Sequence, residues 1–322
     1  MLTPRNANQF TIAHRMTATR ERHGQHPLET IVRDDVLRLG PEGQLVGIVS
    51  RLASALVRST TLRSSPSADP AAAVIILNAG VLHRVGPHRL HVVLARRIAA
   101  LGLASLRLDL GGIGDSVASS DAPNFRASAV ADTRAAMTGL TEALGAQRFV
   151  LFGVCSGADN SIATALADDR VTGIVLVDPP TYPTRRGQLR QLRQRVSQRS
   201  STRELFRSAL NVAARELRRA AVRVSRRPID APASEGRELP PVAAFGAQLT
   251  ALVDRGVRIF AVYSGIHGAR YNHPDQLFEL FPGLRGKIDH AYFPAANHTF
   301  TELATQAELL DAVTGWITKR FG

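Results

Sequence analysis

The chain has 322 residues, 44% of them hydrophobic and 21% charged, which suits one large α/β domain or a core of about 250 residues carrying an insertion. No stretch approaches the roughly 20 consecutive apolar residues of a membrane-spanning helix, and a single cysteine excludes an internal disulfide or a thiolate zinc cage and points to a reducing cytoplasm. The formal charge of +13 is concentrated: between Arg185 and Arg227 fourteen arginines face only Glu204 and Glu216, a local net charge of +12. The remainder is close to neutral, and an arginine-for-lysine, alanine-rich vocabulary has the flavour of a high-GC bacterial genome.

Residues 1–30 lack apolar periodicity and read as a flexible arm, with Met16 as an alternative start and no secretory signal. Val36–Leu39 and Leu45–Val49, joined by Gly40-Pro41-Glu42-Gly43, form a hairpin pattern, and a polar linker spans Ser64 to Pro70. Short apolar runs then alternate with helical segments. The runs are Ala73–Leu77, Leu103–Leu108, Phe149–Phe152 and Ile174–Val177; the helices are Pro87–Leu101, Ser128–Leu144 and Gly157–Ala167. Such alternation predicts βαβ crossovers and a mostly parallel sheet covered on both faces. The pattern resumes after the basic stretch with helix Val242–Val253, strand Val257–Tyr263, helix Asp275–Phe281, strand Ile288–Phe293 and a terminal helix from about Glu302 to Arg320. Four regions follow: the arm at 1–30, a first core part at 31–180, an insertion at 181–241 and a second core part at 242–322.

The strand Phe149–Phe152 runs into Gly153-Val154-Cys155-Ser156-Gly157-Ala158 and then a helix. A sharp strand-to-helix turn that exposes a nucleophile needs small residues two before and two after it, and Gly153 and Gly157 flank Cys155 in that way. Ser156 as nucleophile would put Val154 and Ala158 there instead, and a β-branched valine fits badly. The helix N-terminus also favours a thiolate. The competing reading is a buried cysteine that only fills space.

This turn, together with Asn78-Ala79-Gly80-Val81 after the third strand and Asp109-Leu110-Gly111-Gly112-Ile113-Gly114-Asp115-Ser116 after the fourth, resembles the α/β-hydrolase superfamily over nearly everything from Asp35 to Gly322. Asn78-Ala79-Gly80 with His83-Arg84-Val85-Gly86-Pro87-His88-Arg89 is similar to a bacterial subgroup found with polysaccharide or secondary-metabolite genes. The G-V-C-S-G turn also resembles the box of polyhydroxyalkanoate synthases. The resemblance implies the α/β-hydrolase fold, oxyanion donors at the backbone N–H groups of Ser156 and Val81, and a base after the last strand. His298 in Phe293-Pro294-Ala295-Ala296-Asn297-His298 fills that last position.

An acid is missing from the usual loop, Ser264 to Arg270, so the candidates are Asp178, which ends the strand Ile174–Val177 at an alternative superfamily position, Asp275, or none, with Cys155 and His298 acting as a dyad. Gly86-Pro87 opens a helix at which Arg89 and His88 could bind a substrate anion. His88 and His91 have no third ligand for a metal, and neither a metal nor another cofactor is expected.

The arginine-rich insertion, with Leu189, Leu192 and Val196 and then Leu205, Phe206, Leu210, Ala213, Leu217 and Val224, has the apolar spacing of amphipathic helices, and the resemblance to the α/β-hydrolase superfamily implies that it is a lid over the pocket. Its basic face would suit an acidic acyl carrier protein, a coenzyme A tail, a polyanionic glycan or an anionic membrane surface, and no nucleic-acid motif accompanies the charge. Two functions compete: an enzyme that hydrolyses an ester or thioester, or transfers its acyl group, through an acyl-cysteine, and a non-catalytic binding protein that recruits an anionic partner through its lid.

Overall fold

In the computed structural model, residues 14–15, 32–53, 72–118, 124–197, 237, 239–267 and 270–322 are described. The proposed arm, apart from 14–15, the linker 64–70 and most of the insertion beyond residue 197 lie outside them. The strands are β1 (His14–Arg15), β2 (Val32–Leu39), β3 (Leu45–Leu52), β4 (Ala72–Ile76), β5 (Ala104–Asp109), β6 (Arg148–Val154), β7 (Val171–Val177), β8 (Arg258–Ser264) and β9 (Asp289–Phe293). They form one sheet in the order β1-β2-β3-β5-β4-β6-β7-β8-β9. Pairings from β1 through β3 to β5 are antiparallel, and those from β5 onward are parallel.

The helices are α1 (Leu90–Ala100), α2 (Phe125–Leu144), α3 (Ser156–Ala167), α4 (Arg185–Ser197), α5 (Val242–Asp254), α6 (Gln276–Leu280) and α7 (Leu303–Phe321). Side chains of the central strands alternate between two cores, which is why each strand reads as a continuous apolar run. Val150, Phe152 and Val154 join Leu94 and Ile98 of α1 and Val313 and Trp316 of α7 on one face. Phe149 and Leu151 join Met137 of α2, Ile162 of α3 and Leu249 of α5 on the other.

Local chemistry sets the helix ends. The Asn124 side chain accepts from the Ala127 N–H at 2.9 Å to start α2, and Gly145 ends it at φ 70°. The expected helix from Pro87 is corrected: α1 begins at Leu90, because His88 and Arg89 take positive φ values of 47° and 61° and interrupt the helical backbone. Of the insertion, α4 is the described helix, and it leaves Leu189 and Leu192 exposed.

A buried carboxylate ties the two loops beside β4 and β5 together. Asp109 accepts from the Arg84 N–H at 2.6 Å and Asn78 Nδ2 at 3.1 Å, and also pairs with the Arg84 guanidinium, which reaches Asp115 at 2.7 Å. Asn78 Oδ1 in turn accepts from the Leu110 N–H at 2.8 Å, and Ser116 Oγ bridges the Asp109 carbonyl and the Val46 N–H. Asp109→Ala removes the acceptor shared by the Arg84 N–H, its guanidinium and Asn78 Nδ2, leaving them only Asp115 and the Leu82 carbonyl, so we expect a loss of about 2 kcal/mol in unfolding free energy, checked by urea titration.

Candidate active site

Cys155, Asp178 and His298 come from the carboxyl ends of three strands that lie close together in the sheet, where ligands of open α/β sheets bind. The Cys155 N–H continues the ladder to the Val177 carbonyl at 2.9 Å, and the Asp178 N–H does so to the Val262 carbonyl at 2.8 Å. Asp178 thus follows β7, and His298 lies five residues beyond the end of β9.

The turn between β6 and α3 is tight, and it holds Cys155 in a strained conformation. Cys155 sits at φ 56° and ψ −114°, a conformation that L-residues rarely hold without surrounding constraint. A Cβ at Gly153 would lie 2.1 Å from the Gly157 carbonyl, and one at Gly157 would lie 2.7 Å from the Asn78 carbonyl oxygen. Both flanking positions are therefore closed to any side chain. The thiol is half-buried at the head of α3, not enclosed in a core as a space-filler would be. The Ser156 hydroxyl is engaged elsewhere: its Oγ accepts from the Gly80 N–H at 2.9 Å.

Asp178 is fully buried and has φ 49°. Its Oδ1 accepts from the Ser264 N–H at 2.7 Å, and Oδ2 accepts from Ser264 Oγ and faces His298 Nδ1, each at 2.7 Å. With Nδ1–H on the carboxylate, Nε2 is left for the sulfur, and the ring hydrogen-bonds the Cys155 side chain. The hydrogen bonds to Asp178 and to Cys155 outweigh burial and push the His298 pKa up to about 10. Burial opposes ionisation of Cys155, yet His298, the Arg237 charge and the Ser156 N–H together hold its thiol below the ordinary range. Such a pair can exist as thiolate and imidazolium, with the sulfur ionised and its proton held on the ring.

Asp275 stands apart from this line. It precedes α6, is half-exposed, and pairs with Arg285 at 3.2 Å and His290 at 3.9 Å. The loop after β8 carries no carboxylate, and the strand's last residue, Ser264, is a double donor to Asp178. Val81 is 85% exposed, and in the loop after β4 it is the amide of Gly80, one residue earlier, that reaches the turn between β6 and α3. His88 and Arg89 are exposed ahead of α1. His91 is fully buried and packs edge-on against Phe152 at 5.9 Å, and burial lowers its pKa to about 3, so it and His88 do not share an accessible face.

Two residues escaped sequence reasoning. One is Ser264. The other is Arg237, whose guanidinium reaches the site from just beyond the arginine-rich stretch and lies 3.8 Å from Cys155 Sγ. A signal for it existed: Asp159 stands one helical turn after Cys155 and, buried there, requires a cation.

No curated protein matches the chain. Solved structures resemble it at low identity and therefore in fold. An α/β serine hydrolase homologue from Coxiella burnetii is 14% identical, with 88% of this chain and 96% of that chain covered and a TM-score of 0.50. An esterase from Pyrococcus furiosus is 12% identical, covering 96% and 100%, with a TM-score of 0.53. A puromycin-hydrolysing peptidase from Mycobacterium tuberculosis is 14% identical, covering 91% of this chain and 40% of that one, with a TM-score of 0.52. The family model described as the alpha/beta hydrolase fold matches residues 72–239, which carry β4, the turn at Cys155 and Asp178. With the strand order and the elbow between β6 and α3 in agreement, the chain belongs to the α/β-hydrolase fold family.

Proposed function

We propose that the protein is an acyl-cysteine enzyme, a hydrolase or acyltransferase acting on esters or thioesters. The observation that carries this reading is the hydrogen-bonded line from Cys155 through His298 to Asp178 at a strained strand-to-helix turn. The Cys155 thiolate attacks the acyl carbonyl, and the N–H groups of Ser156 and Val81 receive the charge that develops on oxygen, the Gly80 N–H being held by Ser156 Oγ. The His298 imidazolium gives its proton to the departing alcohol or thiol, leaving an acyl-cysteine thioester and a neutral ring. His298 then takes a proton from water, an alcohol or an amine as that acceptor attacks, and the thiolate departs. A thioester reacts readily with alcohols and amines, so transfer to an acceptor in polysaccharide or secondary-metabolite biosynthesis stands beside hydrolysis. The esterase and peptidase among the structural relatives support acyl chemistry on this fold.

The alternative, a non-catalytic binding protein, rests on the missing acid after β8, and the contact of Asp178 with His298 at 2.7 Å supports the enzymatic reading over it. An anionic carrier or coenzyme tail would meet the exposed Arg185, Arg186 and Arg193 of α4, where we place the start of the lid. Arg190 is engaged with Glu279 at 2.7 Å and Asn272 at 3.0 Å.

The deciding experiment is intact-protein mass spectrometry after exposure to a panel of acyl thioesters and activated esters. An increment mapped to Cys155 is expected, and an increment on Ser156 or none with any acyl donor would overturn the proposal. A pH profile follows from the same pair. The reactive form needs Cys155 ionised and His298 protonated, so kcat/KM should rise through a thiol pKa below the ordinary value of about 8.5 and fall as His298 loses its proton near 10. Steady-state rates between pH 4 and 11 check both limbs.

A further inference from the structure

Arg237 lies inside the site, yet the steps above give it no part. Its Nε and Nη2 donate to the two oxygens of Asp159 at 2.7 and 2.6 Å, a fork-on-carboxylate pair that fixes the plane of the guanidinium. Nη1 donates to the Asp178 carbonyl at 3.0 Å and stands 3.8 Å from Cys155 Sγ. Asp159 is four residues after Cys155 in α3, so the helix that carries the nucleophile also aims the arginine. The following chain is fastened as well: Tyr182 Oη donates to the Pro240 carbonyl at 2.6 Å, and the Tyr182 ring packs on Phe245 at 5.9 Å. A fork held by a carboxylate and a carbonyl, neither of them the sulfur, arrives at Sγ with its orientation already fixed.

We propose that Arg237 is a second cation on the Cys155 sulfur, held in place by Asp159, and that with His298 it keeps the nucleophile in its thiolate form before substrate arrives. The inference rests on the reading of Cys155 as the reacting atom. Around that sulfur stand His298 from the loop after β9, Asp178 from the loop after β7, Asp159 and the Ser156 N–H from α3, and Arg237. Tyr182 and Tyr263 lie near Arg237 and Asp178, and burial holds both hydroxyls above their ordinary range, Tyr182 up to about 12, so they keep their protons wherever the thiol titrates. Moving a proton from Cys155 to His298 leaves the net charge of this group unchanged. Arg237 favours the charge-separated arrangement because it adds attraction on the sulfur side alone.

The test uses the full chain and the rate of iodoacetamide alkylation against pH. Cys155 is the single cysteine, so the readout is site-specific and needs no turnover. Arg237→Met should move the thiol pKa upward by about one unit and slow alkylation roughly tenfold near pH 7, with Arg237→Lys between it and the wild type. Asp159→Asn should shift the profile in the same direction by releasing the fork. Circular dichroism reports folding; should Arg237→Met fail to fold, Arg237→Lys and Asp159→Asn read the same quantity. Unchanged profiles in the folded variants, or a wild-type thiol of ordinary reactivity, overturn the inference. A failed acyl-adduct experiment with a shifted alkylation profile would instead count against the proposed reaction and leave Arg237's role standing.

Discussion

Cys155→Ala is expected to abolish the acyl adduct and to lower kcat by about 10⁵- to 10⁶-fold, the scale on which loss of a covalent nucleophile is felt when the rest of the site stays intact. The fold should persist: alanine is smaller than cysteine, and Gly153 and Gly157, which the turn requires, are untouched. Some rate above the uncatalysed reaction should survive, since the backbone donors and His298 remain. Ser156→Ala is the informative partner. Its hydroxyl accepts the Gly80 N–H, so its loss should loosen the oxyanion loop and cost about tenfold in kcat, with the adduct on Cys155 still forming. If Ser156→Ala were the silencing change and Cys155→Ala the mild one, the nucleophile would be misassigned by one residue. Adduct mass and single-turnover rates on both variants decide it.

How much of this was legible in the sequence follows from how local each feature is. The parallel strands read clearly because burial on both faces makes each an unbroken apolar run, and β6 and β7 were found within three residues of their ends. The elbow read clearly because its glycine spacing is a steric demand confined to five residues. The start of α1 did not, since proline at 87 suits a first helical turn while the positive φ of His88 and Arg89 depends on how the loop meets β4 and α1. The acid stayed ambiguous for a related reason. Asp178 and Asp275 look equivalent as letters, and only the sheet brings Ser264 and His298, 86 and 120 residues away, onto the same carboxylate. Arg237 meets Cys155 across 82 residues, beyond any periodicity.

Asp178→Asn tests the part of the site that the sequence left open, and it should lower kcat by about 10²- to 10³-fold. Asparagine keeps the volume and one acceptor oxygen, so the contact with the Ser264 N–H can persist and the fold should hold. Its amide nitrogen can only donate. Turned toward His298 it would force Nδ1 to accept, put the ring proton on Nε2, and leave no base facing the sulfur. The corresponding loss in serine enzymes is near 10⁴-fold, and a thiol, which ionises more easily, should suffer less. The pH profile gives the sign. Asp178 is the largest contributor to the raised His298 pKa, so its neutralisation should move the alkaline limb down from about 10 toward the ordinary histidine value of about 6.5. The imidazolium that protonates the leaving group would then be lost as pH rises through neutrality, where the wild type stays active. Asp275→Asn, half-exposed and paired with Arg285 away from His298, should change kcat less than twofold. Reversal of the two would transfer the acid to Asp275, and indifference to both would leave Cys155 and His298 acting as a dyad.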